Sequence, residues 1–256
     1  MHDPGWRNQI EETWAFLEKN YRISKTPACS THIHVSIRRG GEGGIGMGLH
    51  IMKKIAQCII HFEPAFEALV PPERRGNMWA ASNWIDNRLF VGPTFTRRKV
   101  IEDIDNCAST EEVVHLMSPP PQGKLWAWNF QAMKKFGTIE FRKGSASLNS
   151  TDAIAWAELV LYFVQAAIRM DSVNSILHVP ANIGSLKAFL GTNLVDKNNI
   201  FEGKNDQASI QPELIYCRHD QREVLKKKLF LDELKQADLC ASKGRRRKGH
   251  LNQSHD

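Results

Sequence analysis

Histidine, carboxylate and arginine side chains alternate with apolar residues in two short segments of this chain. His32, His34 and Ser36 are spaced two apart within CSTHIHVSIR, and Glu140 and Arg142 are spaced two apart within TIEFR. Because alternate side chains of a β-strand share a face, each polar set would project from one side of its strand while apolar residues pack beneath. Imidazoles that face a carboxylate and a guanidinium suit the binding of a metal-bound polyphosphate. The two segments therefore predict a polar site on one face of a sheet.

Each motif taken alone also has an ordinary structural explanation. Histidines are common on solvated strand faces, and a Glu-x-Arg pair is often a surface ion pair. The joint occurrence of both motifs, each in a period-two pattern, favours the functional interpretation. Trp79, Trp84, Trp126 and Trp128 could line a pocket for a second substrate, but for them we favour packing.

Composition indicates a globular protein of one or two domains. The 256 residues are 42% hydrophobic and 24% charged, which is typical of soluble chains. We expect no apolar run of the roughly 20 residues that cross a bilayer, and no signal peptide in the first residues. The five cysteines are widely spaced and lack a C-x-x-C pair. We therefore expect reduced thiols, a cytoplasmic location, and neither a disulfide framework nor a zinc site.

The net charge of +6 is concentrated at the C-terminal end. Residues 217–256 contain eleven Lys and Arg against six Asp and Glu, so the remainder of the chain is close to neutral. We predict a globular domain over 1–216, followed by a basic helix and a disordered tail over 217–256. The tail could act as a nuclear-localisation signal or contact nucleic acid, but a solvated terminus is the interpretation we favour.

Hydrophobic periodicity predicts an α+β fold. Helices are expected over 5–19, 49–69, 101–105, 109–117, 153–168, 185–190 and 221–236. The predicted strands cover 28–38 and 137–142, and each is followed by a helix that could cover its apolar face. The glycine-rich connection over 38–46 lacks the arrangement of a P-loop.

Three segments, in this order, resemble one known family. CSTHIHV at 29–35, FEPAFEALVPPERR at 62–75 and TIEFR at 138–142 are similar to the amidoligase family, one of the glutamine synthetase-like carboxylate–amine ligases. The resemblance extends over about residues 6–170. It implies a curved antiparallel sheet flanked by helices, with ATP and divalent metal ions on the concave side. Such ligases activate a carboxylate as an acyl phosphate, which an amine then attacks.

The resemblance also implies roles for individual residues. His32 and Glu140 would hold Mg²⁺, His34 would contact the nucleotide phosphates, and Ser36 would lie toward the nucleoside. Arg142 would bind the substrate carboxylate or the developing acyl phosphate, as a guanidinium suits an oxyanion. Further phosphate contacts are expected from Arg74, Arg75 and Arg88. The alternative is that these three are solvated surface arginines.

One departure from the family bears on the expected metal site. Family members normally begin with a strand that carries paired carboxylates, followed by a Glu shortly before Ser-Pro, and neither element precedes the first predicted helix here. We therefore expect an N-terminally truncated domain whose metal site has few protein ligands. We also expect an unpaired sheet edge that would impair solubility.

The leading hypothesis is an enzyme, an ATP- and Mg²⁺-dependent amidoligase acting on small-molecule or peptide carboxylates and amines. An alternative is a catalytically degenerate binding or scaffold protein that retains the ligase fold. A metal-dependent hydrolase ranks last, because the chain lacks the repeated β/α units and further ligands of that fold. We expect no membrane partner and nucleic-acid contact only through the tail; the oligomeric state stays open.

Overall fold

Helices and a small antiparallel sheet make up the fold. The computed structural model describes residues 5–26, 29–37, 47–90, 96–120, 122–191 and 199–210. The α-helices within these ranges are α1 (Trp6–Asn20), α2 (Leu49–Leu69), α3 (Arg97–Asn106), α4 (Thr110–Met117), α5 (Ala132–Phe136), α6 (Ser150–Arg169) and α7 (Ile183–Leu190). The predicted α+β class is confirmed, whereas the glutamine synthetase-like curvature of the sheet stays a prediction.

The strands of the sheet are short and antiparallel. They are β1 (Ile33–Val35), β2 (Trp128–Asn129) and β3 (Ile139–Phe141). Their order is β1-β3-β2, so β3 is central. The strands predicted over 28–38 and 137–142 were too long, because β1 and β3 pair over three residues each. Gly137 ends α5 in the left-handed conformation, with φ of 65°, and therefore limits β3 at its start.

One face of the sheet packs on the helices, as predicted. Ile139 and Phe141 are buried on this face. The Phe141 ring centroid lies 4.8 Å from that of Trp128 and 5.9 Å from that of Phe66 on α2. Phe66 in turn lies 5.0 Å from Phe163 on α6. These aromatic contacts join the sheet to the two longest helices and leave its opposite face open.

Helix α2 is the centre of the core. Every residue from Ile55 to Leu69 is buried, because α3, α4, α6 and α7 all pack against it. A helix buried all round must satisfy its polar side chains internally. Gln57 does so by donating to the backbone carbonyl of Ile101 at 3.2 Å.

Helix α6 is apolar enough, by length and composition, to pass for a membrane-crossing segment. The expectation that no segment would reach that length is therefore wrong for this helix. In the structure it contacts α1, α2 and α7, and its Leu159, Val160 and Phe163 side chains are buried. These are the contacts of a core helix.

Side-chain hydrogen bonds set the starts of α3, α4 and α6. α4 follows Ser109, whose hydroxyl accepts from the backbone N–H of Glu112 at 3.2 Å. α3 begins earlier than predicted because Thr96 caps it. α6 also begins earlier than predicted, since Asn149 accepts the capping hydrogen bond from the backbone N–H of Asp152.

Several predicted features lie outside the described residues. They are the glycine-rich connection over 38–46, the helix over 221–236 and the basic tail over 217–256. The domain boundary after residue 216 therefore stays a prediction.

Candidate active site on the open face of the sheet

The strand register brings the two predicted motifs together. His34 on β1 lies directly opposite Glu140 on β3. Two imidazole nitrogens approach the same carboxylate oxygen, Glu140 Oε1: His32 Nδ1 at 3.1 Å and His34 Nε2 at 3.6 Å. The predicted juxtaposition of histidines and carboxylate is present in the structure.

Glu140 is held by two donors. Arg142 Nη1 donates to its Oε1 at 2.8 Å, and Asn129 Nδ2 donates to its Oε2, also at 2.8 Å. Burial alone would raise the pKa of Glu140, but the hydrogen bond from Asn129 and the charge of Arg142 outweigh it. The pKa of this carboxyl therefore lies below its usual value, and Glu140 is ionised at neutral pH.

His32 contacts both Arg142 and Glu140 through the same ring nitrogen, Nδ1. Burial and the positive charge of Arg142 lower the pKa of His32, against the opposing effect of Glu140. A neutral imidazole has one unprotonated nitrogen, and Nδ1 of His32 lies 3.2 Å from Arg142 Nη1. The two N–H bonds of this Nη1 can thus serve Glu140 and His32 together.

His34 is oriented by Thr138, the residue that directly precedes the central strand β3. Its Nδ1 lies 2.8 Å from the hydroxyl of Thr138, and its ring meets Phe136 edge to face at 5.7 Å between centroids. Thr138 shares the polar face with Glu140, as the sequence pattern predicts. The side chains of His32 and His34 remain 38% and 40% exposed, against 8% for Glu140.

These residues line a cleft of about 440 Å³. Beyond the predicted His32, His34, Glu140 and Arg142, its walls include residues that the sequence did not single out: Lys124, Asn129, Gln131, Ala132, Lys135 and Phe136. Asn129 lies on a two-residue strand, which is too short to show a period-two pattern. The others come from α5 and a loop, and only the tertiary fold brings them to the sheet.

Four predicted site residues do not line the cleft. Ser36 lies beyond the end of β1 and is exposed. Arg88 is also exposed, and Arg75 donates through Nε to the carbonyl of Val70 at 3.2 Å. Arg74 is buried and donates to the carbonyl of Arg142 at 3.0 Å. It supports the backbone of the site from beneath, while phosphate contacts by these arginines stay predictions.

Three of the four tryptophans pack in the interior, as favoured from the sequence, and Trp79 does not. Trp84, Trp126 and Trp128 are buried in the structure. Trp79 is 48% exposed, and its backbone carbonyl accepts from Arg142 Nε at 3.5 Å.

A second polar cluster lies behind the site, inside the protein. Lys143 follows Arg142 in the chain, and its ammonium forms a buried ion pair with Glu67 of α2. One turn earlier on α2, Glu63 accepts from the hydroxyl of Ser82 at 2.8 Å and from the backbone N–H of Asn83 at 2.9 Å. We call these residues the buried network. It fixes the strand end that carries Arg142 to α2.

The site lacks the ligand set of a protein-held magnesium ion. No group of three or more His, Cys, Asp or Glu that could hold a metal occurs within the described ranges. Mg²⁺ requires near-octahedral oxygen ligands at about 2.0–2.1 Å. Glu140 offers one carboxylate, and both its oxygens already accept hydrogen bonds from Arg142 and Asn129. As arranged here, the residues do not fit such an ion.

Comparison with known proteins identifies a family. The model of the family described as “Putative amidoligase enzyme” matches residues 3–164, which include both strands of the candidate site and more than half of the chain. No curated protein and no solved structure matches the chain. The match agrees with the resemblance in the three segments analysed above, and the chain belongs to the amidoligase family.

Proposed function

We propose that this protein is an ATP-dependent ligase that joins a carboxylate to an amine. The observation that carries the proposal is the convergence of His32, His34 and Arg142 on Glu140, in an open cleft within the family-matched part of the chain. The substrates would be a small-molecule or peptide carboxylate and an amine.

The proposed reaction has two balanced steps. A carboxylate oxygen of the substrate attacks the γ-phosphorus of ATP, which releases ADP and leaves an acyl phosphate. The amine nitrogen then attacks the acyl carbon, phosphate departs, and the nitrogen loses a proton. Both steps place negative charge on phosphate oxygens, which positioned cations stabilise.

The cleft has cationic groups for this task at two depths. Arg142 lies on the floor, where Nη2 of its guanidinium can donate charge-assisted hydrogen bonds to a carboxylate or phosphate while Nη1 holds Glu140. Lys124 and Lys135 line the same cleft and are exposed. We assign the substrate carboxylate and the transferred phosphoryl group to Arg142, and the outer phosphates to the lysines.

Magnesium enters this proposal with the nucleotide. Mg²⁺ commonly takes most of its ligands from substrate phosphates and water. A magnesium–ATP complex could therefore bind without the protein-held site that His32 and Glu140 were predicted to form. The chemistry that the ion supplies when bound is neutralisation of phosphate charge.

One observation favours a second function. Glu140 is already bonded to Arg142 and Asn129, and an intact ligase would use such a carboxylate at its nucleotide. The second candidate is therefore a binding protein of the same family that retains the cleft without turnover.

Calorimetry and product analysis separate the two candidates. Magnesium–ATP is titrated into the wild type, Arg142→Gln and Lys135→Ala, and ADP is then measured with mixed carboxylates and amines. A ligase binds ATP, binds it more weakly in both variants, and forms ADP that depends on both co-substrates. ATP binding without ADP under any mixture supports the binding protein. Lys134→Ala, an exposed change outside the cleft, is the matched control.

A further inference from the structure

We infer that Arg142 occupies the place a divalent cation would need in this cleft, so that the protein binds phosphate-bearing anions without a metal held by Glu140. The inference goes beyond the proposed function, because anion binding requires no turnover. It rests on four features of the cleft: the position of the guanidinium, the engaged lone pairs, the surplus of positive charge and its distribution.

The guanidinium lies between the groups that would ligate a metal. Arg142 Nη1 is 2.8 Å from Glu140 Oε1 and 3.2 Å from His32 Nδ1. An ion bound to that oxygen at about 2.0–2.1 Å would lie against a fixed positive charge. Arg142 is itself only 8% exposed and donates through Nε to the Trp79 carbonyl at 3.5 Å. Its side chain is thus fixed at this position.

The remaining ligand atoms are also engaged. Glu140 Oε2 accepts from Asn129 at 2.8 Å, and His34 Nδ1 pairs with the Thr138 hydroxyl at 2.8 Å. The other nitrogen of that imidazole, Nε2, lies 3.6 Å from Glu140 Oε1, the oxygen that also accepts from Arg142. Both oxygens of Glu140 and Nδ1 of His34 are thus engaged by protein groups.

Positive charge exceeds negative charge in the cleft. The charge of Glu140, the one carboxylate among its lining residues, is balanced by Arg142. Lys124 and Lys135 form no ion pair with any residue that the structure describes, and Lys135 Nζ lies 5.0 Å from the centre of the Phe136 ring. Two such ammonium groups beside a guanidinium suit a ligand with several anionic oxygens.

Metal-free binding of tripolyphosphate tests the inference. The full chain is titrated calorimetrically with tripolyphosphate in EDTA, and ATP is titrated in parallel to detect any contribution of the nucleoside. We expect saturable binding in EDTA, weakened at least about tenfold in Arg142→Gln because charge-assisted hydrogen bonds are lost. Lys135→Ala should weaken it by roughly threefold and reduce its salt dependence, whereas Lys134→Ala should not.

Glu140→Gln gives opposite results under the two readings of the site. If Glu140 only orients Arg142, removing a negative charge leaves metal-free tripolyphosphate binding unchanged or tighter. A protein-held metal site instead predicts Mn²⁺ binding, measured alone by electron paramagnetic resonance, that falls about tenfold or more in this variant. Such a loss, or a folded wild type that binds tripolyphosphate only with added metal, overturns the inference.

The outcomes also separate this inference from the proposed function. Metal-free anion binding without any ADP formation would support the inferred anion site and contradict the proposed ligase function. ADP formation by the wild type, together with Mn²⁺ binding that is lost in Glu140→Gln, would support the ligase function and contradict the inference that Glu140 holds no metal. Thermal melting of each variant shows whether a lost signal reflects a protein that has not folded.

Discussion

Glu140 in the open cleft and Glu63 in the buried network are each 6% exposed as whole residues, yet their pKa values are shifted in opposite directions from that of an ordinary glutamate. Next to Arg142 and Asn129, the pKa of Glu140 lies below its usual value despite burial. Burial raises the pKa of Glu63 to about 7, and the hydrogen bond from Ser82 offsets only part of that rise. At Glu140 the hydrogen bond from Asn129 and the charge of Arg142 together outweigh burial, whereas at Glu63 burial outweighs the groups that lower the pKa. Mutations that change one of the two regions at a time test this difference.

The largest effect is expected from Lys143→Met in the buried network. Removing the ammonium leaves Glu67 buried with its ion-pair partner gone, which typically costs about 3–5 kcal/mol. Urea denaturation measures the free energy of unfolding. Lys99→Met removes an exposed ion pair with Asp103 and should shift the midpoint little. Similar losses in both variants would show that burial does not govern the energy of these pairs.

Glu63→Gln is expected to remove a pH dependence of stability. Because folding raises the pKa of Glu63 from 4.5 to about 7, the folded protein binds more protons than the unfolded chain between those values. The stabilisation is complete below pH 4.5 and is lost as the pH rises through about 7, with a magnitude of order 3 kcal/mol. Melting temperatures from pH 5 to 8 measure it. A slope that Glu63→Gln leaves unchanged would contradict the raised pKa.

Arg142→Gln should act on Glu140 in the opposite sense. Loss of the guanidinium removes a hydrogen bond to a charged group, which costs about 1–3 kcal/mol, and it raises the pKa of Glu140. Carbon-13 NMR of the Glu140 carboxyl follows that titration. The wild-type carboxyl should titrate below its ordinary range, and a variant that titrates at the same pH would rule out Arg142 as a cause.

Thr138→Val is expected to have the smallest effect. It removes the hydroxyl that contacts His34 Nδ1, on a face where water can replace the lost bond, so stability should fall by about 1 kcal/mol or less. Nitrogen-15 NMR of His34 should nevertheless show a changed tautomer balance. Thr138→Ser retains a hydroxyl and serves as the control; an unchanged tautomer in Thr138→Val would exclude Thr138 as the group that orients His34.

Local sequence periodicity predicted which side chains share the polar face of the sheet, but not which other residues line the cleft. Alternation placed His32, His34 and Glu140 correctly on one side, because side-chain direction along a strand depends only on the local backbone. The predicted strand lengths were wrong, because the length of a strand depends on how many residues of its partner strand pair with it. Asn129 and Lys135 were missed because segments distant in sequence bring them to the cleft.

The arginines illustrate the same limit. Arg74 follows a long apolar helix in an irregular segment, where the family resemblance implies a phosphate contact. The structure buries it against the carbonyls of Arg142 and Lys143. A charged side chain in an irregular segment can serve backbone carbonyls as readily as phosphates, and local pattern does not distinguish the two.

The burial of Arg74 has a consequence for how the cleft attracts ligands. Its charge is felt at His32, whose pKa it helps to lower. Dissolved ions screen exposed charges such as those of the cleft lysines, but they screen a charge enclosed by protein far less. The electric potential on the cleft floor should therefore persist at salt concentrations that suppress long-range attraction, so that salt slows the arrival of an anion more than it hastens its departure.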